Sequence, residues 1–139
     1  MKDLVQFLRD RLDEDESIAR EAAHYEAGHW TTKDGYPVSV ADELPEAADT
    51  FERVVVFDEG SPSEEQAAHI ARHDPARVLA EVAAKKRILD LYDAAHSDAV
   101  RDAIGIDSQD GTISAITAAL QYLATVYADH PDYNEAWRP

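Results

Sequence analysis

Residues 65–89 are rich in helix formers, yet one dipeptide in their middle, Asp74-Pro75, stops them from making a single rod. Proline has no backbone N–H, and its ring pushes the preceding residue out of the α region. One helix must therefore end before Asp74. The same pair opens the next helix, because Asp is a strong N-cap and Pro suits the first helical position. Upstream, Ser61-Pro62-Ser63-Glu64 reads as a start, with Ser61 as N-cap, Pro62 in first position and Glu64 completing a capping box. That predicts a helix from Pro62 to about His73, burying Ala67, Ile70 and Ala71. Downstream of the joint, Val78, Leu79, Val82, Leu89 and Tyr92 share the inner face of a second helix, which runs on or restarts at Ser97 before Gly105.

The remaining segments alternate in type. Leu4, Leu8, Leu12, Ala19 and Ala22 recur at helical spacing, predicting an N-terminal helix from Asp3, its cap, to about Tyr25, with Gly28 as its stop. Asp34-Gly35 between β-formers predicts a hairpin of residues 29–32 and 36–40, where Pro37 makes the second strand an edge or delays its start. Residues 41–50 read as an acidic loop. The apolar run Phe51–Phe57 suits a central strand covered on both faces. After a polar turn at 106–111, the stripe Ile113, Ile116, Leu120, Leu123 and Tyr127 predicts a central core helix over 112–127. In the tail, Asp132 caps one last helical turn, and Tyr133 and Trp137 share a face that should dock. The expected architecture is α+β over one domain, 1–139: an N-terminal helix, a three-stranded antiparallel sheet, and three to four helices on one face.

Charge narrows the partners. The 139 residues carry 13 Lys and Arg against 29 Asp and Glu, a net charge of −16 that opposes phosphate neutralisation and repels anionic lipid. Nucleic acid and membrane are thus poor partners. No stretch nears the roughly 18 apolar residues of a membrane helix, and Met1-Lys2-Asp3 leads into an acidic pattern unlike a signal peptide, so a cytoplasmic location is expected. Without cysteine, thiol catalysis and Cys-ligated metal are excluded.

Four constellations bear on function. His69 and His73 are four apart, the spacing that puts two imidazoles on one helix face for a divalent transition metal. A third ligand would have to come from His24, His29, Asp129 or His130. The competing account makes His73 a cap favoured by the helix dipole and His69 a neighbour of Glu65. Second, Asp129-His130-Pro131-Asp132 places a possible general base beside carboxylates, against ordinary turn chemistry. Third, Trp30, Tyr36, Tyr133 and Trp137 can form an aromatic patch rimmed by acids, suited to a basic protein partner, or they can be core and docking rings. Fourth, Lys85-Lys86-Arg87 is the one basic cluster, read as a solvated helix face with Lys86 four residues from Asp90. Neither a nucleophile elbow nor a phosphate-cradling glycine loop is present.

Three blocks, Leu4–Arg20, Glu65–Leu89 and Tyr127–Pro139, resemble a family of small proteins from actinobacteria and their phages, domain of unknown function 6221. The run from Ala68 to Leu79, His-Asp-Pro at its centre, and the ending His130-Pro131-Asp132-Tyr133 with Trp137-Arg138-Pro139 carry the resemblance. It implies a source in such an organism and supplies no catalytic residue. The favoured expectation is a non-enzymatic accessory module that binds another protein through its acidic surface. Two alternatives stand beside it: a metal-dependent hydrolase using His69 and His73, and a mimic of DNA that occupies a DNA-binding protein.

Overall fold

In the computed structural model, which describes residues 2–57, 60–97 and 109–139, helix α1 spans Lys2–Ala22. It begins one residue before Asp3, so that carboxylate sits in the first turn, where it favours the dipole, instead of capping. It also stops short of Gly28. Tyr25 and Glu26 both take left-handed φ values, 56° and 62°, inside a short 3-10 turn at His24–Glu26. Gly28 serves a different purpose: a Cβ there would lie 3.1 Å from the Ala76 backbone nitrogen, which donates to the Gly28 carbonyl at 3.0 Å.

The described chain groups into two compact units, residues 15–82 and residues 2–14 with 83–139. The first holds an antiparallel meander of β1 (Trp30–Thr31), β2 (Val38–Val40) and β3 (Val54–Val56), in that order. Trp30 pairs with Val40 and Thr31 with Ser39, while Val38 pairs with Val56 and Ser39 with Val54 across an irregularity. Pro37 delays β2 and does not banish it to an edge. All three β2 residues are buried, Ser39 included. β3 is therefore an edge strand, contrary to the expectation that Phe51–Phe57 would be central. In a meander the middle strand in sequence is the middle strand in space, whatever the hydropathy of its neighbours.

Helix α2 (Glu64–Arg72) packs against β1 and β2. Its start lies two residues later than expected: Ser63 is the N-cap, and Gln66 returns the second capping-box bond. The sequence offers two overlapping boxes, and the later one wins. The helix ends before Asp74, and α3 runs from Pro75 to His96. Asp74 caps it as expected, accepting the Arg77 N–H at 2.9 Å. The continuation of this helix past Ser97 lies outside the described residues.

In the second unit the fully buried Leu4, Leu8 and Leu12 of α1, Leu89 of α3, and Leu120 of α4 (Gln109–Ala124) form the core. Gly111, expected in a turn, is inside α4. Nor is α4 covered all round: Tyr122 is 65% exposed and Val126, just beyond its end, 71%. The tail folds back as expected. Phe7 of α1, 6% exposed, meets the rings of Tyr127, Tyr133 and Trp137 with centroids 6.3, 6.1 and 5.0 Å away. Asn134, not Asp132, caps the final 3-10 turn at Glu135–Trp137. Among the described residues no helix is long and apolar enough to cross a membrane.

Candidate functional site

His69 and His73 do come together, with ring centroids 4.3 Å apart at the exposed end of α2. His73 Nδ1 lies 2.9 Å from the His69 carbonyl, to which it donates, so only its Nε2 is left to accept. Asp74 is already turned to the Arg77 and Trp30 N–H groups. Two imidazoles are what the site offers an ion, and among the described residues no group of three or more His, Asp or Glu is placed to hold one.

The other histidines go elsewhere. His24 lies against Tyr25. His29 pairs with Asp42, its Nδ1 3.0 Å from one carboxylate oxygen and its backbone N–H donating to the other at 2.9 Å. That backbone bond, more than the ring, holds the Asp42 carboxyl below its usual range. In the second unit, His130 packs edge-on to Phe7, with Nε2 facing the Arg11 guanidinium and Nδ1 facing the Asp132 backbone N–H at 3.1 Å. The Asp132 carboxylate is 3.9 Å from the ring, beyond hydrogen-bonding distance, so no carboxylate-oriented base forms there.

The expected aromatic patch is divided between the units. Tyr133 and Trp137 are half-buried against each other and Phe7. Trp30 and Tyr36, also half-buried, line separate clefts of the sheet unit, Trp30 with His73 and Pro75, Tyr36 with Pro37 and Pro62. In the basic cluster, Lys86 reaches Asp13 of α1 at 2.5 Å, while Asp90, its expected partner, faces Arg9 at 3.6 Å. Both of these pairs join α1 to α3.

Two of the exposed rings belong to the run that the sequence reading made a covered central strand. Phe51 and Phe57 are 67% and 52% exposed and stack with centroids 6.4 Å apart and planes 30° from parallel. They bracket β3, whose outer edge pairs with no strand among the described residues. The 3-10 turn Thr50–Arg53 that presents Phe51 is fixed by a capping box between Asp49 and Glu52. Arg53 donates to the Val40 carbonyl at 2.9 Å, tying the turn to β2. Beside β3, Val56, Pro62, Glu65, His69 and Ile70 line a groove of about 610 Å³. The meander connectivity was the signal that could have revealed this edge.

Neither a curated protein nor a solved structure matches the chain. A family model described as Family of unknown function (DUF6221) matches residues 1–139, including the hairpin and the 97–111 stretch that carry none of the recognisable motifs. The chain belongs to the DUF6221 family.

Proposed function

We propose that this protein is a non-enzymatic binding module of the cytoplasm of an actinobacterium or its phage, and that it captures an extended basic segment of another protein along the outer edge of β3. The observation that carries this reading is the exposed patch made by the stacked rings of Phe51 and Phe57, which precede and follow β3 in the chain. An edge strand presents unpaired N–H and C=O groups, and natural proteins usually blunt it with charge, proline or a covering element. The strand itself, Val54–Val56, carries neither charge nor proline. Strand addition takes main-chain hydrogen bonds from such an edge, and an exposed apolar patch beside the strand adds desolvation energy.

Charge selects the partner. Residues 27–66 hold ten acids and two bases, and one of those bases, Arg53, is bonded to backbone. A basic segment is steered towards this surface, and an acidic one is repelled. A three-residue edge supplies few hydrogen bonds, so affinity should be micromolar and fall with salt. The test is titration of the isotope-labelled chain with a basic, β-branched peptide, followed by amide chemical shifts. Shifts concentrated at 51–57 support the reading. Shifts absent there, with the peptide in large excess, overturn it.

A further inference from the structure

Side chains of a strand alternate between the two faces of its sheet. A strand added beside β3 would continue the sheet, and every second side chain would then lie on the α2 side. Against Val56 of β3 lies a groove whose other walls include Pro62 of the segment leading into α2 and Glu65, His69 and Ile70 of α2. Its apolar members are Val56, Pro62 and Ile70, and Glu65 is its one charged member.

The Glu65 carboxylate is held in place. Ser63 Oγ donates to its Oε2 at 2.8 Å, and it stands in the first turn of α2, where a negative charge is favoured. Its own backbone N–H supports the same carboxylate, which stays exposed and keeps lone pairs to accept with. An aliphatic side chain entering the groove would cover the apolar walls but strip water from a carboxylate without replacing it. A long basic side chain satisfies both, since its methylene stem lies on apolar surface while its head keeps the charge.

Building on the strand-addition reading, we infer that this groove is a socket for one lysine or arginine side chain of the added strand, its stem on Val56, Pro62 and Ile70 and its cationic head on Glu65. The socket gives the edge a sequence preference that backbone pairing alone lacks. Glu65 is a specificity residue in this arrangement, and Phe51 and Phe57 are the anchors.

The experiment uses the full chain and three labelled nine-residue peptides of alternating Val and Thr, identical except for Lys, norleucine or Glu at the central position, with binding read by fluorescence anisotropy and amide shifts. The Lys peptide should bind about fivefold tighter than the norleucine peptide, the size of an exposed but desolvating ion pair. Glu65→Gln should reduce that ratio to about one while the circular dichroism spectrum and the β3 shifts persist. Equal affinity of the Lys and norleucine peptides, with β3 amides still shifting, overturns the socket and leaves strand addition standing. A Lys preference that survives in E65Q also overturns it, assigning the preference to net charge. Failure of every peptide to move β3 amides overturns both readings.

Discussion

The backbone N–H of Trp30 donates to the carboxylate of Asp74 at 3.2 Å, so the residue that opens α3 also ties the first strand of the sheet to the helix joint. The other oxygen of that carboxylate caps the helix through the Arg77 N–H. Losing a cap costs about 1 kcal/mol, and orphaning a part-buried N–H costs about another 1–2 kcal/mol. Asp74→Ala should therefore destabilise the protein by about 2–3 kcal/mol, and Asp74→Asn, which keeps one acceptor, by about half of that. Urea denaturation of both variants measures it. A loss under about 0.5 kcal/mol for the alanine variant would mean that the carboxylate is solvated and the joint is held by proline alone.

Phe51 and Phe57 behave differently from core rings. Burying a phenylalanine and then truncating it costs about 3–5 kcal/mol, whereas an exposed side chain away from special features changes stability by about 0.5 kcal/mol or less. With 67% and 52% exposure, Phe51→Ser and Phe57→Ser should leave the denaturation midpoint almost unmoved while abolishing measurable capture of a basic peptide. A large stability loss in either variant would show that these rings are covered in solution and argue against a docking role.

What the sequence discloses and what it hides differ in kind. The helix joint is legible because proline chemistry is local: Asp74 and Pro75 determine the break without reference to the rest of the chain. The docking of the tail is legible because two large rings in a charged segment have to find apolar cover, although the rings meet across the Asn134 cap and not along one helix face. The status of β3 is not legible from hydropathy, because an apolar run reads alike in the middle of a sheet and at a sticky edge; only pairing order decides. The start of α2 is ambiguous because Ser61 and Ser63 each have a suitable residue three positions on, so the local pattern alone does not choose between them. The His29–Asp42 pair is invisible because it joins a strand entrance to a loop, and no periodicity links them.

That pair gives a pH dependence. The His29 backbone N–H holds the Asp42 carboxyl below its usual range in the folded chain. A depressed carboxyl pKa contributes stability that is present above the unfolded value, about 3.9, and is lost as pH falls through the folded value. Stability of the native chain minus that of Asp42→Asn should thus be positive and flat from pH 7 to about 5, then shrink towards zero below about pH 4. Paired denaturation curves across that range test it. A difference that persists unchanged at pH 3 would show that the amide fails for steric reasons, with no role for ionisation.

Salt should stabilise this protein. Its exposed ion pairs, such as Arg20–Glu16 and Arg77–Glu81, are each worth a few tenths of a kcal/mol and are weakened by screening. The repulsion among 29 acids, opposed by only 13 bases, is screened at the same time and is spread over the whole chain. The second effect should win, and the thermal midpoint should rise by several degrees between about 20 mM and 500 mM sodium chloride. A falling midpoint would mean that the ion pairs outweigh the net charge.

Phe7 is the point on which the C-terminal segment rests. Its ring lies 5.0 Å from that of Trp137 and 6.1 Å from that of Tyr133, and Arg11 one turn on faces both Phe7 and His130. Because Phe7 is 6% exposed, removing the tail would open an apolar surface on α1 instead of merely shortening the chain. Trp137→Ala should cost about 2–4 kcal/mol, less than a fully buried tryptophan because the indole is half-exposed. Phe7→Ala should cost a similar amount, and the double variant less than the sum, since each substitution removes the partner of the other. Denaturation of the cycle reads the coupling directly. Strict additivity would show that the two rings are buried independently and that the tail is held by its backbone turn, with Asn134 as its cap, in place of ring packing.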